Sequence, residues 1–297
     1  MSSAPAELSE WSGEAVTLAE VENELARLRV ESAGTEHAPN LRTSVMTHIA
    51  WVPEEWLEAA HATLAGMAEQ HPSRTVVLVP DPDSGLDRID AHVSLECFAV
   101  ADLQRQVCSE VVELRLHGRR AKAPASVVEP LLIPDLPVFC RWRGEPPFGA
   151  PEVEQLVDVT DRLIVDTTEW DDLPYAYTKL ARLFDRAAVS DIAWARTGRW
   201  RSLLASLWPD IADVRRIRVR GTAAQAHLLA GWLRSRLQHD VELEHEPADR
   251  LEGIDIDGKP APFPPGDPPA SSELLSDELD TFGRDRIYEQ AVAAAAL

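Results

Sequence analysis

The stretch at residues 124–144, PASVVEPLLIPDLPVFCRWRG, narrows what this chain can fold into more than any other. Val127, Val128, Leu131 and Leu132 recur at helical spacing, so a short apolar helix is expected there. Pro134 and Pro137 forbid its continuation, because proline has no amide hydrogen to donate and its ring clashes with the preceding turn. A strand is expected to follow. Leu136, Val138, Cys140 and Trp142 alternate with Pro137, Phe139, Arg141 and Arg143, which lets one face bury while the other carries two guanidinium groups over an aromatic ring. Arg141, Trp142 and Arg143 are therefore candidates for a partner or anion surface, set against the plainer role of a helix-to-strand turn in the core.

On either side of this hinge, strand-like and helix-like patterns alternate. Residues up to 40 read as a helix whose stripe is Leu18, Val21, Leu25 and Leu28. Residues 41–52 read as a strand, and Pro53 opens a helix with Trp56, Ala60, Leu64, Met67 and Ala68 inward. The run RTVVLV at 74–79 is a second strand, which makes a β-α-β unit. Residues 91–100 and 107–116 read as a hairpin centred between Asp102 and Leu103. That register sets Cys97 opposite Cys108, Leu95 opposite Glu110 and Val93 opposite Val112, with the Glu110 carboxylate expected to reach the sheet rim.

The prolines and glycines of GEPPFGAPE make 144–152 the expected domain boundary. The expected organisation is an N-terminal helical or flexible segment 1–40, an α/β domain 41–143, a linker 144–152 and a second α/β domain 153–297. In the second domain a short strand is expected at 163–165. Two helices follow, one burying Tyr177, Leu180, Ala181, Phe184 and Ala188, the other Trp200, Leu203, Leu204, Leu207 and Trp208. Extended residues 214–220, a helix at 223–238 and extended residues 241–246 make another β-α-β unit, to which 251–257 adds a strand. Residues 258–270 are rich in proline and read as a loop. A final helix carries Leu279, Ile287, Tyr288 and Ala291 and is weakened by Gly283. The fold class is thus mixed α/β, two α/β domains each built around a β-α-β unit extended by further strands.

A formal charge of -21 over 297 residues repels nucleic acid and anionic membrane unless a strong basic patch compensates, and no such patch stands out. No window reaches the ~20 apolar residues of a membrane span. The opening residues MSSAPAELSEW have neither a basic segment nor an apolar core, so no secretory signal is expected and the cytoplasm is the expected compartment. Three cysteines, Cys97, Cys108 and Cys140, lack both even number and metal-type spacing, and reduced thiols are expected. Only Lys122, Lys179 and Lys259 are lysines, so nearly all positive charge is arginine, suited to bidentate contact with carboxylate or phosphate.

No phosphate-binding glycine loop, nucleophile elbow or metalloprotease helix is present, and no catalytic residue, metal or cofactor is assigned. Asp171 and Asp172 read as a turn before Leu173 and Pro174. His239 and His245 lie ~20 Å apart along a strand, too far for one ion. Arg216, Arg218 and Arg220 share a strand face as a candidate anion strip, but Glu242, Glu244 and Glu246 alternate alike on the expected neighbour and would answer them in a structural ladder. Ser73 and Arg74 could together hold a phosphate, or serve as a cap and a salt bridge. Cys97 and Cys108 could form a redox pair, or act as two small buried hydrophobes.

The segments RTSVMTHIAWV, HPSRTVVLVPDP, CSEVVELRLHG, SVVEPLLIPDLPVFCRWRG and VRRIRVRG resemble the glucose-6-phosphate dehydrogenase assembly protein family, OpcA. The resemblance implies a non-catalytic protein partner of that dehydrogenase, promoting its active oligomer or shifting its substrate affinity at the entry to the NADPH-producing oxidative pentose phosphate pathway. Activation is redox-linked in some relatives, which directs attention to Cys97, Cys108 and Cys140, although no Cys-x-x-Cys motif supports it. The competing expectation is an enzyme that handles sugar phosphates through Ser73, Arg74 and the arginine strip.

Overall fold

An apolar run such as TVVLV suits a strand covered on both faces, and the fold places it so. In a computed structural model that describes residues 7–34, 44–65, 73–100 and 105–296, the chain divides into two units, Met1–Leu163 and Ile164–Leu297. The first contains β1 (Glu7–Gly13), α1 (Leu18–Gly34), β2 (Thr47–Trp51), α2 (Leu57–Ala65), β3 (Arg74–Asp81), β4 (Ile89–Val100), β5 (Arg105–His117), α3 (Pro124–Val128), β6 (Val138–Trp142) and α4 (Pro151–Asp158). These strands run in the order β1-β4-β5-β3-β2-β6. Strands β2 and β3 are parallel with α2 between them in sequence, the expected β-α-β unit, and β6 lies parallel to β2 on its far side. Parallel and antiparallel pairs occur together, so the class is mixed α/β.

The two faces of this sheet are covered differently. Helix α1 buries Val21, Leu25 and Leu28 and packs against β4. On the opposite face Ala60, Leu57 and Leu64 of α2 meet Ala50, Val52, Val77 and Val79. Burial of such side chains stabilises each contact by roughly 25 cal/mol per Å² of apolar surface removed from water. The hairpin register is as expected, with Cys97 opposite Cys108, Leu95 opposite Glu110 and Val93 opposite Val112. Its turn at Asp102 and Leu103, the helical residues Met67 and Ala68, and residues 41–43 lie outside the described residues.

Three expectations for this unit are corrected. Residues 7–13 form no helix but the strand β1, antiparallel to β4. Strand β6 is buried on both faces, so Arg141 lies in the interior and not on a solvent face. A parallel strand beside β2 needs cover on both sides, and that requirement overrides the local alternation. Finally, Pro151 opens α4 after the extended residue Ala150, which places 144–152 inside the first unit.

The second unit begins at the boundary strand β7 (Arg162–Val165) and continues through α5 (Tyr175–Leu180), β8 (Ala188–Asp191), α6 (Ile192–Arg196), α7 (Gly198–Ser206), β9 (Arg216–Gly221), α8 (Ala223–Leu237), β10 (Glu242–Pro247), β11 (Gly253–Ile256), β12 (Lys259–Pro260), α9 (Ser271–Leu279) and α10 (Arg286–Ala295). Strand β9 pairs with β10 in parallel and with β11 antiparallel, in a sheet ordered β10-β9-β11-β12. Helix α8 starts at a capping box in which the Thr222 hydroxyl accepts from the Gln225 amide and the Gln225 side chain returns the bond. Its Gly231 is required by packing, since a Cβ there would stand 2.2 Å from the Ala291 carbonyl oxygen of α10.

Two helices expected to be continuous are not. Ala188 lies in β8 and not on a helix stripe, because α5 ends at Leu180 and the chain then tightens through Ala181–Leu183. The terminal helix divides between Leu279 and Arg286, where Asp285 accepts hydrogen bonds from the amides of Ile287 and Tyr288 and starts α10 afresh. In consequence Tyr288 and Ala291 are buried while Ile287 is exposed. Residues 258–270 are largely loop, held by Arg199, which donates to the carbonyl oxygen of Pro264 at 3.0 Å, and by Phe263 against Trp200.

Candidate functional site

Strand β9 alternates without a fault: Ile217, Val219 and Gly221 are buried, and Arg216, Arg218 and Arg220 are exposed. Because β10 runs parallel in register, Arg216 faces Glu242, Arg218 faces Glu244 and Arg220 faces Glu246. Each guanidinium closes on its carboxylate, at 3.0, 3.0 and 2.9 Å, and Arg218 also reaches Asp255 of β11 at 3.4 Å. Hydrogen bonding to Glu244 and Glu246 raises the pKa of Arg218 and Arg220, and the Arg220 hydrogen bond lowers that of Glu246. The strip is therefore a ladder of answered charges on an exposed sheet face. With each guanidinium already paired, the strip has little left with which to hold a free anion.

Ser73 and Arg74 are adjacent in sequence but act on opposite sides of the sheet. The Ser73 hydroxyl stands 3.3 Å from that of Thr75, whereas Arg74 donates from Nε to Glu110 at 2.8 Å and from Nη1 to Glu22 at 2.8 Å and the Leu131 carbonyl at 2.7 Å. Arg29 of α1 completes the group, with Nε 2.6 Å from Glu110. Glu110 accordingly does not reach the rim as expected. It is buried beneath α1 and neutralised by two guanidinium groups, one of them from a residue 81 positions earlier. Burial pushes the Glu110 pKa up, but hydrogen bonding and charge from Arg29 and Arg74 outweigh it and leave the group below its ordinary range.

The aromatic and basic end of β6 is likewise turned inward. Trp142 stacks on Trp51 with ring centroids 4.8 Å apart, and both rings are buried. Arg141 is buried and donates to the Trp142 carbonyl. Arg143 places its guanidinium carbon 4.7 Å from the centre of the Trp56 ring, an attraction between a cation and the ring's negative face. An exposed platform formed by all three residues is thus replaced by a buried stack with one half-buried arginine at its edge.

Cys97 and Cys108 are joined in a disulfide, where reduced thiols were expected. Their direct opposition across β4 and β5 brings the Cα atoms to 4.1 Å, the short separation of a cross-strand pair that exchanges no backbone hydrogen bonds. Cys140 is fully buried and its thiol is pushed up to about 12, chiefly by burial, which removes the thiolate that redox chemistry needs.

One polar cluster escaped the sequence reading. Asp191, at the end of β8, accepts from the Thr167 amide at 3.1 Å, the Thr167 hydroxyl at 2.7 Å and the Ala193 amide at 2.8 Å, and the Tyr288 hydroxyl lies 3.3 Å away. Asp166 beside it caps the turn at Thr168 and pairs with Arg196 at 2.7 Å. Burial and the charge of Asp166 raise the Asp191 pKa to about 7. The available signal was an aspartate directly after each short apolar run, LIV and AVS, followed by helix-forming residues, which is an N-cap pattern. The turn residue Asp172 pairs with Lys179 at 3.3 Å, and the His239 and His245 rings bond separate carbonyls.

Two family descriptions match this chain: the glucose-6-phosphate dehydrogenase subunit N-terminal domain (OpcA) over residues 65–182, and the corresponding C-terminal domain over 187–262. Among individual relatives, an OpcA protein of Synechococcus elongatus is 29% identical over 183 residues, which is 58% of this chain and 41% of that protein. An OpcA protein of Synechocystis sp. is 26% identical over 185 residues, 58% of this chain and 38% of its own. That of Nostoc punctiforme is 25% identical over 187 residues, 58% of this chain and 39% of its own. All three carry a provisional assignment to the OxPP cycle, and the matched region spans about two fifths of their length.

Proposed function

This chain belongs to the OpcA family, whose domain descriptions name glucose-6-phosphate dehydrogenase, and from that premise we propose that it is a non-catalytic partner of the dehydrogenase that favours the enzyme's active oligomer or its substrate-binding state. The observation that carries the reading is the pair of matches, one for each half of the chain, both described as parts of a subunit of the dehydrogenase. The arginines support it. Arg74 is engaged by Glu110, Glu22 and Leu131, and Arg216, Arg218 and Arg220 are answered by carboxylates, which disfavours the phosphate-handling alternative. A protein of this kind acts by binding one state of its partner better than another, and the size of the shift equals that difference in affinity. The cytoplasm is the compartment in which it would meet the dehydrogenase. Among the described residues no helix is long and apolar enough to cross a membrane.

The test is a titration of the purified chain into the dehydrogenase of the same organism, followed by sedimentation velocity and initial rates. The larger oligomer should gain population, or the apparent KM should fall, while the chain alone turns nothing over. Unchanged sedimentation and kinetics across the titration would falsify the proposal. Intrinsic turnover that disappears in Arg74→Met would instead establish the enzymatic reading.

A further inference from the structure

A sheet face beneath a helix is ordinarily apolar, and the α2 face of the first unit follows that rule for only half its extent. Under the first turns of α2 lie Ala50, Val52, Val77 and Val79. Further along, the cross-strand rows become polar: His48 pairs with Thr75, Thr75 with Val111 and Val111 with Ser94, and in the next row Ser109 pairs with Glu96. A cavity of about 260 Å³ opens over these rows, walled by His61, Leu64 and Ala65 of α2. That is room for about eight waters at ~30 Å³ each, or for one small molecule.

The floor is built of buried polar side chains: His48, Ser73, Thr75, Ser94 and Ser109 are all at most 7% exposed. The hydroxyl of Ser94, a residue 7% exposed, bonds no side chain among the described residues and lines the cavity. Among the described residues the hydroxyls of Ser73, Thr75 and Ser109 make long contacts of 3.3 Å. A hydroxyl without a strong protein partner is open to a ligand that displaces water from it.

The charge of the wall selects that ligand. The cavity carries Glu96 and Glu113, the latter 2.7 Å from the His61 ring, and these carboxylates disfavour an anion. Among the described residues no three of its histidines and glutamates gather as a metal-ligand set. An ammonium ion offers donors only, whereas the serine and threonine hydroxyls of the floor can donate as well as accept. A polyol both donates and accepts at every hydroxyl, as serine, threonine and histidine do. We propose that this cavity, floored by Ser73, Thr75, Ser94 and Ser109 and rimmed by Glu96, binds a small uncharged polyhydroxyl compound, a sugar or sugar alcohol. The site is independent of any protein partner.

Calorimetric titration of the full chain with D-glucose, myo-inositol and ribitol tests the assignment, with glucose 6-phosphate and ethanolamine as the anionic and cationic probes and no dehydrogenase present. At least one neutral polyol should bind saturably with Kd at or below about 1 mM. Ser94→Ala should weaken it about tenfold without lowering the melting temperature, since that hydroxyl bonds no side chain among the described residues. Glu96→Ala, on a partly exposed residue, should weaken it as well. Absence of saturable binding by all three polyols, tighter binding of either charged probe, or undiminished affinity in Ser94→Ala would overturn the proposal.

Discussion

Glu110 in the first unit and Asp191 in the second are both buried carboxylates, and their surroundings send them in opposite directions. Glu110 lies between the guanidinium groups of Arg29 and Arg74 and is held below its ordinary pKa in spite of burial. Asp191 receives hydrogen bonds from amides and hydroxyls, has a second carboxylate nearby and is raised to about 7. Hydrogen bonds alone do not hold a buried charge here, and a close cation does. The exposed ladder of β9 and β10 completes the comparison, since it has the same ion pairs as the Glu110 group but bathed in water. Solvent screening there leaves each pair with a small share of stability.

Removing the charge of Glu110 should produce the largest effect. Glu110→Gln leaves Arg74, itself only 3% exposed, without its buried counter-charge and is expected to cost about 3 to 5 kcal/mol in a urea unfolding curve. Because the folded pKa lies below the unfolded value, this contribution is present above the ordinary glutamate range near 4.5 and disappears as pH falls through the folded value. The loss on mutation should therefore shrink in acid. A double variant, Arg74→Met with Glu110→Leu, should recover much of the stability, and failure to do so would show that the quartet stabilises beyond the removal of an unpaired charge.

Asp191 should give a smaller effect of opposite sign. Its folded pKa is raised, so the native state holds a proton that the unfolded chain has released. Its contribution is complete below the unfolded value of ~4 and is lost as pH rises to about 7. Melting temperatures of Asp191→Asn and the parent, measured across that window, should show a flatter pH profile in the variant. A profile of unchanged steepness would remove Asp191 as its source.

The ladder should give the smallest change. Arg218→Glu sets a like charge against Glu244 and Asp255, and sedimentation with the dehydrogenase separates two roles for this face. A slightly lower melting temperature with the partner still bound marks a structural ladder, whereas lost association at unchanged melting temperature marks an interface.

Local pattern carried the ladder, the hairpin and both β-α-β units into view, because each depends on alternation or on helical spacing within one or two adjacent segments. The opposition of Cys97 and Cys108 was legible from the hairpin register, but their covalent state was not, since spacing says nothing of oxidation. The cations on Glu110 were hidden for another reason. Arg29 comes from a helix 81 residues earlier, and the Tyr288 hydroxyl comes to Asp191 across 97 residues, distances at which periodicity is silent. The burial of Arg141 was missed because it follows from which strand lies beside β6, and not from β6 itself.

The close passage of α10 over α8 at Gly231 has a mechanical consequence. Where a methyl group would collide with the Ala291 carbonyl, the helices touch through main chain, and no pliant side-chain layer absorbs displacement. Packed interiors compress little, so a displacement of α10 bears directly on α8, against which β9 and β10 pack. The arginine face on the far side of those strands is thus geared to the chain's final turns.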